Sequence, residues 1–107
     1  MAPLRESPVE RYLLNQCRQH SFICMKFTSP GRGGVPDRII ITPGGTVFVE
    51  VKRPGEKPTR RQRETHARMR RRGALIWVVD DHASINQLVQ DLLQISQNAA
   101  LEPRRAG

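Results

Sequence analysis

The stretch "VPDRIIITPGGTVFVEVKR", residues 35–53, decides how this chain is interpreted, because two apolar runs flank a proline–glycine turn. Such runs predict two antiparallel strands joined as a β-hairpin. The hairpin nevertheless has an acid, Asp37, near its start and two charges, Glu50 and Lys52, near its end. Burying an ionised group without a partner is costly. The hairpin therefore predicts a site where these charges find a partner, and a bound cation is the obvious candidate.

Whether the three charges meet depends on how the strands pair. Side chains alternate along a strand, so Glu50 and Lys52 share one face. A two-residue turn at Gly44-Gly45, or a four-residue loop over 43–46, pairs positions whose numbers sum to 89. Asp37 then lies opposite Lys52 on the face of Glu50, whereas a three-residue loop sends Asp37 to the other face. We expect the arrangement that brings the three together.

Two neighbouring carboxylates beside a lysine favour metal-assisted chemistry on phosphodiesters. Carboxylate oxygens at this spacing suit Mg²⁺ or Mn²⁺. A lysine such as Lys52 can hold or activate a water and stabilise the charge that grows on a phosphate. The alternative is structural: a buried Asp37–Lys52 pair, with Glu50 near the rim of the sheet.

The charge balance indicates a nucleic-acid partner. The 107 residues fit one domain, and 18 Lys and Arg against 10 Asp and Glu give a net charge of +8. Residues 52–72 hold ten basic residues and only two acids, which is typical of a nucleic-acid binder, although a solvated helix face is the alternative. No apolar run reaches the roughly 20 residues of a membrane span, and the N-terminus does not resemble a signal peptide. We expect a cytoplasmic protein without membrane partners.

The remaining chain divides into short elements. Ser7-Pro8 opens a helix to about residue 20, residues 21–28 predict a strand, and a glycine-rich loop leads to the hairpin. Thr59 and Gln62 form a capping box for a basic helix that ends near Arg72. "ALIWVVDD" predicts a buried strand, and Ser84 begins a second capping box and a last helix. That helix carries a broad apolar stripe, which either covers the sheet or forms a surface for a second copy.

This order, α-β-β-β-α-β-α, predicts an α/β fold with a mixed four-stranded sheet flanked by helices. Residues 1–96 are predicted to form one domain, and residues 97–107 a flexible tail.

Pro36-Asp37 followed by Glu50-Val51-Lys52 resembles the signature of the PD-(D/E)xK nuclease superfamily, whose restriction-endonuclease-like core has a similar element order. The run over residues 34–37, the sequence "VEVKR" and the pair Thr59 and Gln62 resemble the virus-type replication-repair nuclease (VRR-NUC) domain in particular. The resemblance covers about residues 7–80.

The resemblance implies a role for each matching residue. Asp37, Glu50 and the backbone carbonyl of Val51 would bind Mg²⁺ or Mn²⁺, joined by Glu10 from the first helix. Lys52 would be the catalytic lysine, with Gln62 as a further active-site residue. Glu10 and Gln62 also have a purely structural interpretation, as partners in helix caps.

The resemblance also implies a substrate and an assembly. Stand-alone VRR-NUC domains resemble resolvases of four-way DNA (Holliday) junctions, so we expect a bacterial or phage-encoded homodimer that cuts such junctions. A flap or nick nuclease and a non-catalytic DNA-binding protein are the alternatives. The residues that we expect to contact DNA lie in the glycine-rich loop and the basic segment: Arg32, Gly33, Arg53, Lys57, Arg60, Arg61 and Arg63.

Overall fold

The structure, a computed structural model, describes residues 7–101. These residues form three helices and four strands, in the order α1 (Pro8–Gln19), β1 (Ile23–Lys26), β2 (Arg38–Thr42), β3 (Gly45–Val51), α2 (Arg60–Arg71), β4 (Ile76–Val79) and α3 (His82–Leu101). The strands form one sheet in the order β1-β2-β3-β4. The first two pairings are antiparallel and the pairing of β3 with β4 is parallel, so the predicted α/β class and mixed sheet are confirmed.

The core lies on the sheet face that α1 and α3 cover. Alternate side chains of the central strands point to this face, and they pack against apolar residues of the two helices. Most of the apolar stripe of α3 is buried there, so it covers the sheet; Ile85, Leu88, Val89 and Leu92 are buried and Leu93 is partly buried against them. The other interpretation of the stripe, a surface for a second copy, is therefore wrong.

The opposite face of the sheet carries α2 and remains partly open. Gln62 of α2 donates to Glu50 of β3, and Arg70 donates to the backbone carbonyl of Ile76 in β4. The apolar side chains on the same face of β1 and β2 stay exposed: Ile23, Met25 and Ile41. One face of the sheet thus builds the core, while the other presents the charged ends of the hairpin.

Two of the three predicted helix starts are confirmed. Ser7 caps α1 by accepting a hydrogen bond from the backbone N–H of Glu10, at 3.1 Å. Thr59 and Gln62 form the predicted reciprocal capping box of α2.

The predicted start of α3 is wrong by one turn. Asp81 accepts from the backbone N–H of Ser84 at 2.7 Å, and the Ser84 hydroxyl accepts from the N–H of Asp81 at 3.1 Å. Ser84 is therefore the third helical residue, because Asp81 precedes it and is an equally strong cap.

The predicted pairing of β2 with β3 is wrong by two residues, but it places the correct side chains on each face of the sheet. The observed pairs, such as Arg38 with Val49 and Thr42 with Gly45, have numbers that sum to 87, which makes Pro43-Gly44 the turn. Proline suits the first turn position because its ring fixes φ near −65°. The Thr42 hydroxyl also accepts from the N–H of Gly44 and donates to the carbonyl of Gly45, which holds the tighter turn.

Helix α3 extends further than predicted. It continues to Leu101, so the expected start of a tail at residue 97 falls inside the helix. The segment 97–101 contains no helix breaker, and Gln94 donates to Asn98 across one turn at 3.2 Å. Residues 102–107 lie outside the described part of the chain, and the domain limit at residue 96 stays a prediction.

Candidate active site

The hairpin brings its charged ends together. Arg38 pairs with Val49, so the next positions outward, Asp37 and Glu50, are opposite each other. The first carboxylate is fixed by the neighbouring strand, because its Oδ1 accepts a hydrogen bond from the backbone N–H of Val51 at 3.1 Å. Proline 36 and the start of β2 therefore place Asp37 directly across from Glu50.

Glu50 is the centre of the site. It is only 3% exposed, and its Oε2 accepts from the Gln62 amide at 3.0 Å and lies 3.5 Å from the Lys52 Nζ. Its other oxygen, Oε1, is buried and has no hydrogen-bond partner in the described part of the protein. Since buried carboxylate oxygens are normally satisfied, this oxygen is available to a ligand.

The surroundings of Asp37 and Glu50 disfavour the ionised form of both carboxyl groups. Burial raises the pKa of Asp37, against the lowering effects of the Val51 amide and of the Arg38 charge. Burial also raises the pKa of Glu50, and the neighbouring charge of Asp37 raises it further, while Lys52 lowers it. A cation between the two acids would remove both penalties.

The donor set fits a divalent metal ion with few protein ligands. No group of three or more His, Cys, Asp and Glu side chains suited to a metal occurs within residues 7–101. Two opposed carboxylates with a free oxygen on Glu50 nevertheless offer the hard oxygen donors that Mg²⁺ and Mn²⁺ prefer. Mg²⁺ in particular keeps several waters and binds through one or two carboxylates, so a site with two carboxylates suits it.

Glu10 lies beside this centre and has a partner already. Its Oε2 is 3.3 Å from Nη2 of Arg38, a residue that the sequence did not single out and that is only 5% exposed. Its charge still reaches the site, because it raises the pKa of Asp37. Glu10 also lines a cavity of about 480 Å³ together with Val51 and Lys52, at the mouth of the site.

Two residues of α2, Gln62 and His66, lie on the side of the helix that packs against the site. The amide oxygen of Gln62 accepts from the Thr59 N–H at 2.9 Å, while its NH₂ group donates to Glu50, so it serves the helix cap and the carboxylate together. His66, one turn further, is 1% exposed, and its Nε2 has no partner in the described residues. Burial, with the charges of Arg70 and Lys52, lowers the pKa of His66 and so favours the neutral form of its ring.

Some of the basic side chains that were predicted to contact DNA already have partners within the protein, whereas others are exposed. Arg60 pairs with Glu64 at 3.0 Å, and Arg63 donates to the carbonyl of Pro58 at 2.7 Å. Arg53 and Lys57 are exposed, and Arg53 lines the cavity that Lys52 also lines.

Arg32, Gly33 and Arg61 line a groove between the glycine-rich loop and α2. Arg68, which was not among the predicted DNA contacts, lines the same groove. The signal that was available for Arg68 and Arg72 is their spacing of 7 and 11 residues from Arg61, which puts all three on one helical stripe.

Known proteins resemble this chain over most of its length. A protein described as "Putative nuclease p44", from Acyrthosiphon pisum secondary endosymbiont phage 1, is 46% identical over 81 residues, which are 75% of this chain and 87% of that protein. A solved structure described as "VRR_NUC domain" superposes with a TM-score of 0.71 at 33% identity, covering 77% of this chain and 90% of the other. No family sequence model matches the chain. Between residues 7 and 101, no helix is long and apolar enough to cross a membrane.

Proposed function

Because the chain belongs to the VRR-NUC family and is a nuclease, we propose that it is a Mg²⁺- or Mn²⁺-dependent DNA endonuclease that resolves four-way junctions as a homodimer. The observation that carries the proposal is the buried Glu50, with one oxygen free and with Asp37 and Lys52 beside it. The structural alternative, an Asp37–Lys52 pair with Glu50 near the rim of the sheet, does not account for a buried Glu50 that is paired with Lys52 and has one oxygen without a partner.

In this proposal Asp37, Glu50 and the carbonyl of Val51 hold the metal ion, which would supply charge neutralisation at the phosphate and a more acidic water. Glu10 is a further candidate ligand, provided that it leaves Arg38. Lys52, as an ammonium close to Glu50, donates hydrogen bonds to the attacking water or to the phosphate oxygen on which charge grows. Gln62 orients the Glu50 carboxylate, since it occupies Oε2 and leaves Oε1 to face the ligand.

The net charge of +8 and the exposed basic side chains around the site support DNA as the substrate. Arg32, Gly33, Arg53, Lys57 and Arg61 are the contacts that the proposal retains first. Arg60 and Arg63 remain in the proposal, but each already has a partner within the protein.

The proposed substrate favours a homodimer. Resolving a four-way junction takes two symmetric cuts, which need two active sites, and residues 7–101 form one candidate site. A twofold dimer places the second site in the matching orientation. Since the α3 stripe is buried, the proposed dimer surface lies elsewhere. The exposed apolar side chains of β1 and β2 (Ile23, Met25, Ile41) are the surface to test.

The test compares labelled four-way junction, flap and plain duplex DNA with Mg²⁺, with Mn²⁺ and with chelator. We expect metal-dependent, paired nicks in opposed strands of the junction, and a dimer by light scattering at micromolar concentration. Met25→Glu, on the proposed surface, should give a monomer that keeps its fold.

A monomer that cuts flaps as readily as junctions would favour the flap-nuclease alternative. DNA binding without cleavage under every metal condition would favour the non-catalytic alternative.

A further inference from the structure

The glycine-rich loop and α2 enclose an arginine groove that leads away from the carboxylates. Its first part, of about 330 Å³, is lined by Arg32, Gly33, Arg61, Thr65 and Arg68, among others. Its second part, of about 340 Å³, shares Arg32 and Arg68 with the first and continues to Met69 and Arg72. We name this continuous surface, with its four arginines Arg32, Arg61, Arg68 and Arg72, the arginine groove.

The groove is a built feature, because the loop is fixed to the helix. The Thr65 hydroxyl donates to the backbone carbonyl of Gly33 at 3.0 Å. Gly33 has no Cβ, and a Cβ at this position would lie 2.7 Å from the Nε of Arg61, so the Arg61 guanidinium rests directly on the loop backbone. The loop therefore positions this arginine, which would otherwise be a mobile surface side chain.

The charge of the groove is not neutralised by the protein. Glu64 is the acid among its lining residues, and its carboxylate is paired with Arg60 at 3.0 Å. No ion pair joins any of the four groove arginines to an acid within residues 7–101. Three exposed guanidiniums along one side of α2, with that of Arg32 from the facing loop, form a surface whose complementary partner is a row of phosphates.

The dimensions suit a polyanion better than a single anion. Arg61 and Arg72 are 11 positions apart, which is about 16 Å along a helix. The Arg61 end is next to Gln62, which contacts Glu50, while the Arg72 end lies three turns away from the site.

We propose that the arginine groove binds the sugar–phosphate backbone of DNA beyond the cut site, without reading its bases. The inference rests on the proposed nuclease function and deepens it, because it assigns the path of the substrate away from the active site. Arg68 and Arg72 contribute to affinity and leave the chemical step unchanged, since they do not approach Glu50 or Lys52.

The test uses charge reversal in the groove against a matched reversal outside it. Arg68→Glu/Arg72→Glu is the groove variant, and Arg18→Glu/Arg71→Glu is the control, which reverses the same number of charges at exposed positions absent from the groove lining. Binding of a labelled duplex is measured in chelator between 50 and 200 mM salt, so that no cleavage interferes. Two lost phosphate contacts reduce the log–log salt slope by about 2, which is about a tenfold smaller loss of affinity over this range.

A third variant preserves every charge. Gly33→Ala should displace the Arg61 guanidinium and weaken binding with a slope that is reduced by up to about 1. In cleavage assays with Mn²⁺, the groove variant should show a raised KM with kcat within about twofold of the wild type. Circular dichroism confirms that each variant folds.

The outcomes separate the two proposals. A groove variant with the wild-type salt slope refutes DNA binding by the arginine groove. A control that loses as much slope as the groove variant refutes it too, because the effect would then come from net charge and not from the groove. A wild-type protein that binds DNA but never cleaves it overturns the nuclease proposal, while the slopes still decide the groove.

Discussion

Replacing Asp37 with Asn should stabilise the metal-free protein and abolish cleavage. Asn keeps an oxygen that accepts from the Val51 N–H, so the hydrogen bond at 3.1 Å survives. It removes the charge opposite Glu50, whose pKa is raised by burial and by Asp37.

The size of the expected stabilisation follows from the positions of Asp37 and Glu50, which are opposite each other on neighbouring strands. Side chains directly opposite on antiparallel strands have Cβ atoms about 5 Å apart. Two unit charges about 6 Å apart repel by about 3 kcal/mol at an effective dielectric constant of about 20. The attraction of Asp37 to Arg38 offsets part of this, but the net effect is a raised pKa of Asp37. We therefore expect a gain of about 1 kcal/mol, which is about 4–8 °C in Tm for a domain of this size.

The gain should depend on pH. A carboxyl whose pKa is raised on folding contributes stability below its ordinary pKa, of about 4, and this contribution is lost as pH rises through the raised pKa. The advantage of Asp37→Asn over the wild type should therefore be absent below pH 4 and should grow as the pH rises through the raised pKa of Asp37.

The assay is thermal unfolding in chelator and in Mn²⁺. A metal ion at ten times its Kd should stabilise the wild type by about 1.4 kcal/mol, and the variant should not respond. Asp81→Asn is the control, because hydrogen bonds from Ser84 lower the pKa of Asp81, so neutralising it should bring no gain. A variant that is less stable than the wild type in chelator, or that Mn²⁺ stabilises equally, would refute the reasoning.

Three further predictions concern the site and the loop. Lys52→Ala should eliminate cleavage while calorimetry still detects Mn²⁺ binding, because its ammonium is not a ligand; near-normal cleavage would contradict its assigned role. Ca²⁺ should support DNA binding in a gel-shift assay with little cutting, since it takes similar oxygen ligands in a looser shell; rapid cutting with Ca²⁺ would contradict this. Gly34→Ala should lower the free energy of unfolding by about 1–3 kcal/mol, because Gly34 has φ +80° and a Cβ there would lie 2.7 Å from the backbone oxygen of Arg61. Gly31→Ala, which meets nothing within 4 Å, is its control in denaturant unfolding.

The sequence predicts those features that depend on neighbouring residues. The N-cap at Ser7 and the capping box at Thr59 follow from local spacing, and the structure has both. The facing of Asp37 and Glu50 was expected because their charges need a common partner, and the structure has it too. The register was ambiguous because Pro43-Gly44 and Gly44-Gly45 can both form two-residue turns. The choice depends on a hydroxyl, that of Thr42, whose bonds no pattern of apolar residues reveals.

The sequence does not predict contacts that arise from packing between distant elements. The pairing of Glu10 with Arg38 joins α1 to β2 across 28 positions, and neither residue type indicates it. Arg61 and Arg68 were visible as one helical stripe, but which stripe lines a groove depends on the docking of the glycine-rich loop onto α2. Local chemistry thus predicts the elements, while tertiary packing decides which of their faces are functional.

The double use of the Gln62 amide restricts which residue can occupy that position. Helix capping alone would accept glutamate or glutamine equally, since either supplies an oxygen for the Thr59 N–H. The opposite end of the side chain lies 3.0 Å from the Glu50 Oε2, where a second carboxylate oxygen would meet a negative charge without a proton between them. An alignment of related sequences should therefore show glutamine rather than a glutamate–glutamine mixture here, and a glutamate would mark a chain that keeps the helix but has a different site.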